Sequence, residues 1–533
     1  MRFRSITLAM ALAAFAPFVA KATDPLPDSR LDPRLSTEGA RRANVFVLLN
    51  RQLFLGGGDF EKFAEANKSE KRSQLRIRII SRLRQNHEQS YGEIAPLIQN
   101  LRKQRLLRDL ARRWIVNGFS AEVLPEALAE LVKHPQVRFI YRLPNTRKRK
   151  PAGGRTVQFD PALQSAADNW TDDTGTRLEL EKLKTPWNIQ RIKADRVWQR
   201  SGLCGRGVTV AVNDGGLAPI DALLQALWRN PKEEINGVDD DGNGYVDDVF
   251  GYDFRQRSAN VLNSNSHGTA CAGIIASRPI NSRTLATGIA PRARIMPLIG
   301  GMDIELYQYA LEHGADIMSL SFMGRADSMG EFRGLVRLLH ENITAAGVLC
   351  VGGAGNYGPG SRRRWPARLQ IGPPKDIPCV IAVAGTLRDG MISGPSSRGP
   401  CIWEDVTFYS DHPSDRPLQK PDLTALFGGY PIWHVKPISP NDEPEIRLPH
   451  SQNGKPLAAY LDVGPMGNSF SGPHAAGIAA LMLSANPDLN PWTLKRLMQA
   501  TAKDLGKPGW DPIYGHGLLD ASEAVEAAIA LAK

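Results

Sequence analysis

The stretch Gly467-Asn-Ser-Phe-Ser-Gly-Pro-His-Ala-Ala-Gly-Ile-Ala-Ala-Leu-Met-Leu-Ser-Ala-Asn486 decides the fold of this 533-residue chain. A glycine-bearing turn runs into a helix in which Pro473 suits the first turn and Asn486, followed by proline, marks the end. Small and apolar side chains occur on all sides, which predicts a buried helix. Ser469 then lies at the positive end of the helix dipole, where negative charge is favoured. It is either a helix cap or a nucleophile.

Two polar residues elsewhere favour the nucleophile. Asp214 follows an apolar segment at 208–212, and His267 lies in a small-residue turn that leads into a second apolar helix. The order Asp, His, Ser is one of the known chain orders of a catalytic triad. A serine hydroxyl becomes a good nucleophile when a histidine takes its proton and a carboxylate orients that histidine. These roles are therefore predicted for Ser469, His267 and Asp214.

A fourth candidate is Asn356, in the segment Val-Gly-Gly-Ala-Gly-Asn-Tyr-Gly at 351–358. Its glycines allow close approach of the backbone, and the asparagine amide can donate a hydrogen bond to the oxyanion of a tetrahedral intermediate. The alternative is an ordinary turn asparagine after a strand.

From residue 187 onward, short apolar segments alternate with helical ones. The predicted strands lie at 208–212, 295–299, 317–321, 348–351 and 379–383. Such alternation is typical of an α/β fold with a mainly parallel sheet, in which functional residues follow the carboxyl ends of strands. Asp214 and Asn356 occupy such positions.

Taken together, these motifs resemble the subtilase family of serine peptidases over residues 187–533. "Asp-Gly-Gly" at 214–216 stands for the usual "Asp-Thr/Ser-Gly", "His-Gly-Thr" at 267–269 is intact, and "Gly-Asn-Ser-Phe-Ser-Gly-Pro-His" at 467–474 stands for "Gly-Thr-Ser-Met-Ala-x-Pro-His". Bacillopeptidase F-like members look most similar. The resemblance implies a subtilisin-like three-layer fold and a secreted endopeptidase that hydrolyses peptide bonds through an acyl-enzyme intermediate.

The resemblance also implies a substrate-binding segment at Ser321, Phe322 and Met323, which pairs with an extended peptide. Met323 replaces the customary glycine, so either the substrate backbone lies differently, or the neighbouring pocket is narrower, or Met323 belongs to the core. The long stretch at 403–463 departs from the family pattern and is expected to form a wall of the site.

The N-terminal part reads as a small α+β domain, with strands at 74–80, 114–123 and 137–141 and helices at 88–110 and 124–134. It resembles the inhibitory propeptide of subtilisin-like proteases. We expect a propeptide at 23–150 with a folded core at about 74–142 and a loosely structured lead before it. A linker at 151–186 with the processing site follows, and then the catalytic domain at 187–533. The basic run at 147–150 is either a processing site or a solvated charge cluster.

Residues 1–22 read as a signal peptide, with a basic start, an apolar region and a small-x-small cleavage site. The mature protein is expected to be secreted or periplasmic, with no membrane anchor. The net charge of +11 is uneven, because residues 1–150 hold 29 Lys and Arg against 14 Asp and Glu. A basic prosegment facing an acidic partner domain explains this excess without nucleic acid. The five cysteines lack metal-ligand spacing, and the one pairing considered is Cys379 with Cys401.

An acidic loop at 239–248 offers oxygen ligands at Asp239, Asp241, Asn243 and Asp247, in the pattern of the first nine positions of an EF-hand. Position twelve is Phe250, so the usual bidentate carboxylate is missing. The loop is either a structural calcium site or a solvated acidic turn. No cofactor is expected for catalysis itself.

Within enzymes, the alternatives are a hydrolase that acts on esters and a processing protease with one narrow target. The rival from another class is a catalytically inactive subtilase that serves as a binding or scaffold protein. The departures at Gly215, Met323 and Asn468 motivate this alternative. Against it, all three catalytic side chains are present.

Overall fold

The computed structural model describes residues 30–144, 161–168, 184–279, 285, 288–440 and 442–532. The predicted signal peptide at 1–22, the basic run at 147–150 and most of the predicted linker at 151–186 lie outside these residues. None of the described helices is long and apolar enough to cross a membrane.

The N-terminal part is a four-stranded antiparallel sheet with strand order β2-β3-β1-β4. Helices α2 and α3 cover one face of it with a compact apolar core. A short 3-10 helix (Trp114–Val116) joins β2 to β3. The elements are β1 (Ala43–Leu49), α1 (Asp59–Ala66), α2 (Arg72–Lys103), β2 (Leu107–Arg113), β3 (Gly118–Val123), α3 (Pro125–Lys133) and β4 (Val137–Arg142).

The predicted strand at 74–80 is wrong, because these residues lie inside α2. Leu75, Ile79 and Leu83 recur every four residues and are buried, whereas Ile77, which completed the apparent alternation, is 74% exposed. Four-residue spacing places side chains on one face of a helix. The first strand of the sheet is instead Ala43–Leu49, so the folded core begins before residue 74. The part of the predicted loose lead that the structure describes, 30–75, holds this strand, helix α1 and the start of α2.

The remaining elements build the larger part of the protein around a seven-stranded sheet. They are α4 (Pro161–Asp168), α5 (Trp187–Arg191), α6 (Ala194–Ser201), β5 (Thr209–Asn213), α7 (Asp221–Leu224), β6 (Tyr252–Asp253), α8 (Ser266–Ala276), β7 (Arg294–Ile299), α9 (Ile304–Glu312), β8 (Ile317–Leu320), α10 (Ala326–Met329), α11 (Phe332–Ala345), β9 (Leu349–Gly353), β10 (Ile381–Thr386), β11 (Leu423–Leu426), β12 (Ile432–Pro437), β13 (Ile446–Gln452), β14 (Lys455–Asp462), α12 (Asn468–Ala485), α13 (Pro491–Ala500) and α14 (Ala521–Ala530).

The seven strands run in the order β11-β10-β9-β8-β5-β7-β6, and each pairs in parallel with its neighbours. Residues of β5 alternate between two cores. Val210 and Val212 pack with α8 and α12, and Ala211 packs with α9 and α11. Helices therefore cover both faces, which confirms the predicted three-layer α/β fold.

The carboxyl edge of this sheet gathers the candidate residues. Asp214 follows β5, Ser321 follows β8, and Asn356 lies just beyond β9. These three strands are adjacent in the order β9-β8-β5, so their ends meet. Helix α12 lies buried against the same sheet and begins beside that edge, which brings Ser469 to it.

Within the stretch at 403–463, β11 belongs to the seven-stranded sheet, and β12, β13 and β14 form a separate antiparallel sheet in the order β12-β14-β13. Trp433 on β12 packs against Gly273 of α8, and the backbone N–H of Val435 donates to Ser266 Oγ at 2.9 Å. This sheet therefore lies beside the helix that carries His267.

All five cysteines are buried free thiols, so the considered pairing of Cys379 with Cys401 is wrong.

Candidate active site

Asp214 and His267 form a hydrogen-bonded pair. Nδ1 of His267 lies 2.8 Å from Oδ2 and 3.0 Å from Oδ1 of Asp214. The aspartate side chain is 10% exposed and the imidazole 41% exposed. A carboxylate on Nδ1 fixes the imidazole tautomer and leaves Nε2 as the nitrogen that can accept a proton.

The local sequence explains why these two residues meet. Asn265 caps α8, since its Oδ1 accepts from the backbone N–H of Gly268 at 2.7 Å. A Cβ at Gly268 would lie 2.1 Å from the carbonyl oxygen of Gly216, so only glycine lets α8 approach the loop after β5 this closely. The close approach brings His267 in the first turn of α8 against Asp214.

Ser469 lies in the first turn of α12 and is partly buried. Its carbonyl oxygen accepts from Ser321 Oγ at 2.8 Å and from Cys271 Sγ at 3.5 Å, and Cys271 Sγ also lies 4.0 Å from Nδ1 of His267. Within the described residues, no hydrogen bond joins Ser469 Oγ to His267. Catalytic hydrogen bonds are often long before substrate binds. The shared contacts with Cys271 place serine and histidine in one cluster.

Asn356 is held in one orientation by the start of α12. Its Oδ1 accepts from the backbone N–H of Asn468 at 2.8 Å, so its Nδ2 is the group that remains for donation. The Asn468 side chain in turn donates to the carbonyl oxygen of Gly355 at 2.6 Å and to Ser396 Oγ at 3.0 Å. Asn468, which differs from the family threonine, therefore fixes the segment that carries Asn356.

Two neighbours raise the pKa of His267 above the ordinary histidine value. The Cys271 sulfur contributes most, and the hydrogen bond from Asp214 adds to it, both against the opposing effect of burial. Burial also raises the pKa of the Cys271 thiol. The Asp214 carboxylate thus favours the protonated form of His267.

A pocket of about 130 Å³ opens beside Ser469 and Asn356. The predicted substrate-binding residues Ser321, Phe322 and Met323 line it, just beyond the end of β8. The other lining residues are Gly353, Gly355, Tyr357 and Lys375.

Met323 lines the pocket and is only partly buried, so it does not belong to the core. Its Sδ accepts from the backbone N–H of Gly372 at 3.0 Å, and its Cε lies 2.8 Å from the position that a Cβ on Gly355 would occupy. The side chain thus narrows the space that the customary glycine would leave open.

Comparison with known proteins identifies the family to which the chain belongs. Residues 205–517, more than half of the chain, match the model of the subtilase family of peptidases. The chain belongs to the subtilase family. It is a subtilisin-like serine endopeptidase by descent, and its site carries the residue types of that chemistry.

Several curated proteases are similar to this subtilase over most of its length. Serine protease AprX of Bacillus subtilis is 27% identical over 82% of this chain and 85% of its own. Minor extracellular protease Epr of the same organism is 24% identical over 71% of this chain and 47% of its own. Bacillopeptidase F, also from Bacillus subtilis, is 23% identical over 85% of this chain and 29% of its own. The subtilase therefore spans less than half of the last two relatives.

In this subtilase the acidic loop is arranged differently from the EF-hand prediction. Carboxylate oxygens of Glu233, Asp239 and Asp241 lie within 4.8 Å of one another. Asp247 instead accepts from the backbone N–H groups of Asn236 and Gly237, both at 2.8 Å. Its backbone has a left-handed conformation (φ 56°).

Asn243 makes hydrogen bonds within and beside the acidic loop. Its Oδ1 accepts from the backbone N–H of Tyr245 at 2.8 Å, and its Nδ2 lies 3.2 Å from Asp248 Oδ2. Two of the four predicted ligands, Asp239 and Asp241, remain in the cluster, and Glu233 joins them.

Three residues of the site region escaped the sequence analysis. Cys271 contacts both His267 and Ser469 and is one helical turn after His267, which is the signal that could have found it. Glu233 precedes the acidic loop, so no spacing rule within the loop includes it. Lys375 belongs to none of the motifs and reaches the pocket through the tertiary fold.

Proposed function

We propose that this subtilase hydrolyses peptide bonds with Ser469 as nucleophile, His267 as general base and acid, Asp214 as its partner and Asn356 as oxyanion donor. The single observation that carries the proposal is the Asp214–His267 pair, in which Nδ1 of His267 lies 2.8 Å from Oδ2 of Asp214. Because Nδ1 is held by Asp214, Nε2 is the nitrogen of His267 that can exchange a proton with Ser469.

The reaction then follows from the groups present. His267 Nε2 removes the hydroxyl proton as Ser469 Oγ attacks the substrate carbonyl carbon, and Asp214 stabilises the imidazolium. The oxyanion receives the hydrogen bond of Asn356 Nδ2 and the positive end of the α12 dipole. His267 next protonates the leaving amine, and water repeats the sequence to release the acyl group from Ser469.

The scaffold alternative rested on three departures, and each has a local reason. Asn468 holds the Asn356 segment, Met323 shapes the pocket, and a side chain at Gly215 would collide with Asn265. These are adjustments around a triad rather than losses from it. The departures therefore support an enzyme with a narrow site.

Labelling with a fluorophosphonate and digestion of casein test the proposal. Wild-type protein is expected to be labelled at Ser469 and to degrade casein, whereas Ser469→Ala and His267→Ala are expected to do neither. An exposed serine change outside the site, Ser451→Ala, is the matched control. Casein digestion that persists in Ser469→Ala after repurification would overturn the assignment.

We further propose that the N-terminal sheet is a propeptide that binds the catalytic part as an intramolecular inhibitor. Its support is the contact with α9 and α11. Arg113 pairs with Glu305, and Asn342 Nδ2 donates to the carbonyl oxygen of Ile115 at 2.7 Å in a buried bond. The sheet face that carries Phe46 and its neighbours joins the apolar core under these helices.

Charge complementarity supports the same assignment. Arg72 pairs with Asp316, and Arg84 lies 2.8 Å from Glu312. The basic excess of residues 1–150 thus meets carboxylates on and beside α9. A prosegment held by such pairs can be released once it is cut.

A structural cation is proposed at Glu233, Asp239 and Asp241. The residues fit a hard cation, since Glu233 is 2% exposed and its buried Oε2 lacks a hydrogen-bond partner within the described residues. Carboxylate oxygens are the ligands that calcium prefers, and a bound ion would neutralise their mutual repulsion. The site takes no part in the catalytic steps.

Export of the protein is proposed on the predicted signal peptide at 1–22. The name of one relative, Minor extracellular protease Epr, is consistent with it.

A further inference from the structure

Lys375 is an unusual lining residue of the catalytic pocket. It is 1% exposed, and its Nζ lies 3.5 Å from the carbonyl oxygen of Leu320 and 5.3 Å from the centre of the Phe322 ring. No ion pair joins it to a carboxylate within the described residues. Buried lysines are normally paired with an opposite charge, so this side chain lacks the partner that its environment calls for.

The nearest acidic group does not fill that role. Asp376 directs its Oδ2 to Arg333, whose Nε and Nη2 lie 3.0 and 2.8 Å away. Burial lowers the pKa of Lys375 to about 7, with Asp376 only partly opposing the effect. A carboxylate that entered the pocket would stabilise the ammonium form.

The fold makes room for this lysine. A Cβ at Gly352 would lie 3.1 Å from Cδ of Lys375 and 2.1 Å from the carbonyl oxygen of Leu320. Glycine at 352 therefore lets the lysine stem pass along β9 toward the pocket wall shared with Ser321 and Ser469.

The pocket is placed to receive a substrate side chain. It is lined by both Ser469 and Asn356, the groups that would contact the attacked carbonyl. The pocket is therefore next to the residue that contributes this carbonyl and can receive its side chain. The pocket, with Met323 in its wall, has a volume of about 130 Å³, which excludes a large aromatic group more readily than a short side chain.

We propose that this pocket selects an aspartate or glutamate side chain on the acyl side of the cleaved bond, with the ammonium of Lys375 pairing with its carboxylate. The inference rests on the proposed function, because it names the substrate class of that same site. The pair would be short and desolvated, and Phe322 and Met323 would shield it from water.

The test is cleavage by the full-length protein of peptides that differ only at the acyl-side residue, which is Asp, Asn, Glu, Gln or Leu. Wild type is expected to cleave the acidic peptides with kcat/KM about 10- to 100-fold above their amide counterparts, the range of a charged hydrogen bond. Lys375→Met is expected to bring that ratio to 1 or below while amide peptides are still cleaved. Lys455→Met, an exposed hairpin change, is the matched control and should keep the wild-type ratio.

A second measurement covers the case in which Lys375→Met fails to fold. Cleavage sites of wild type are mapped by mass spectrometry in a denatured protein mixture, and acidic acyl-side residues are expected to be enriched about tenfold or more.

The outcomes separate this inference from the proposed function. Peptide cleavage and Ser469 labelling without acidic preference would overturn the inference and leave the function standing. Absence of both cleavage and labelling would overturn the function and the inference with it.

Discussion

Asn265 occupies the space that a side chain at Gly215 would need. A Cβ at position 215 would lie 2.2 Å from Asn265 Nδ2, and the same asparagine caps the helix that carries His267. Gly215 follows Asp214 directly, so the contact between Gly215 and Asn265 links the loop that carries Asp214 to the helix that carries His267. The glycine in place of the usual threonine or serine is therefore the complement of Asn265.

This coupling predicts that Gly215→Thr, the change toward the family pattern, lowers kcat/KM. Displacement of Asn265 would shift His267, and a misplacement of about 1 Å can cost about 10²-fold in rate. The double variant Gly215→Thr with Asn265→Ser should recover most of the loss, because serine is smaller and still caps the helix. A double-mutant cycle on purified protein measures both. Equal losses in the single and double variants would contradict the coupling.

Asn356→Asp is predicted to lower kcat by about 10²–10³-fold with little change in KM, a magnitude known from subtilisin itself. The aspartate keeps the acceptor for the backbone N–H of Asn468 but removes the amide donor. Unchanged kcat would show that Asn356 does not contact the oxyanion. Thermal denaturation of both proteins controls for a change in fold.

The proposed cation site predicts a pH-dependent stability. Burial raises the pKa of Glu233 from 4.5 to about 7, with Asp248 and Asp241 adding to the rise. The metal-free folded protein therefore holds more protons at this site than the unfolded chain. As a result, the contribution of Glu233 to the free energy of unfolding falls as pH rises from about 4.5 to 7.

Bound calcium would offset this loss of stability at higher pH, because calcium and the proton compete for the Glu233 carboxylate. Its stabilisation should be larger at pH 8 than at pH 5.5 and reach about 2.7 kcal/mol at 100 times Kd. Thermal unfolding with calcium or with EDTA at the two pH values measures it. In Glu233→Gln the dependence of stability on pH and its dependence on calcium should both weaken. Equal stabilisation by calcium at the two pH values would contradict the proposed cation site.

The selectivity of the pocket should also depend on pH. With the pKa of Lys375 at about 7, the ratio of kcat/KM for acidic over amide peptides should fall as pH rises through about 7. The ratio cancels the titration of His267, which acts on both peptides alike. The charged or titratable groups that act on Lys375 are Asp376, which pairs with Arg333, and His340. Burial lowers the pKa of His340 to about 4, so this histidine is neutral over the range tested. A ratio that is constant from pH 5.5 to 9 would contradict a role for the ammonium.

Much of the fold could be predicted because its signals are local. Apolar strands followed by polar residues placed Asp214 and Asn356 at the carboxyl edge of a parallel sheet, and the apolar helix after Ser469 is buried as expected. The wrong strand prediction has a physical cause. Residues 74–80 alternate in sequence, but the four-residue spacing over the longer segment decides for helix.

The rest depends on contacts between distant residues. Glu233 joins Asp239 and Asp241 only because the chain folds back on itself. Asp247 instead accepts hydrogen bonds from the backbone N–H groups of Asn236 and Gly237. Lys375 reaches the pocket through space left by Gly352. No periodicity or spacing encodes such approaches.

The most direct test of a self-processing serine peptidase is the intact mass of wild-type and Ser469→Ala protein purified in parallel, with and without calcium. We predict a wild-type catalytic chain that begins between residues 143 and 187, and a Ser469→Ala protein that retains the N-terminal sheet. Identical masses that both include the N-terminal sheet, together with intact casein, would contradict the account.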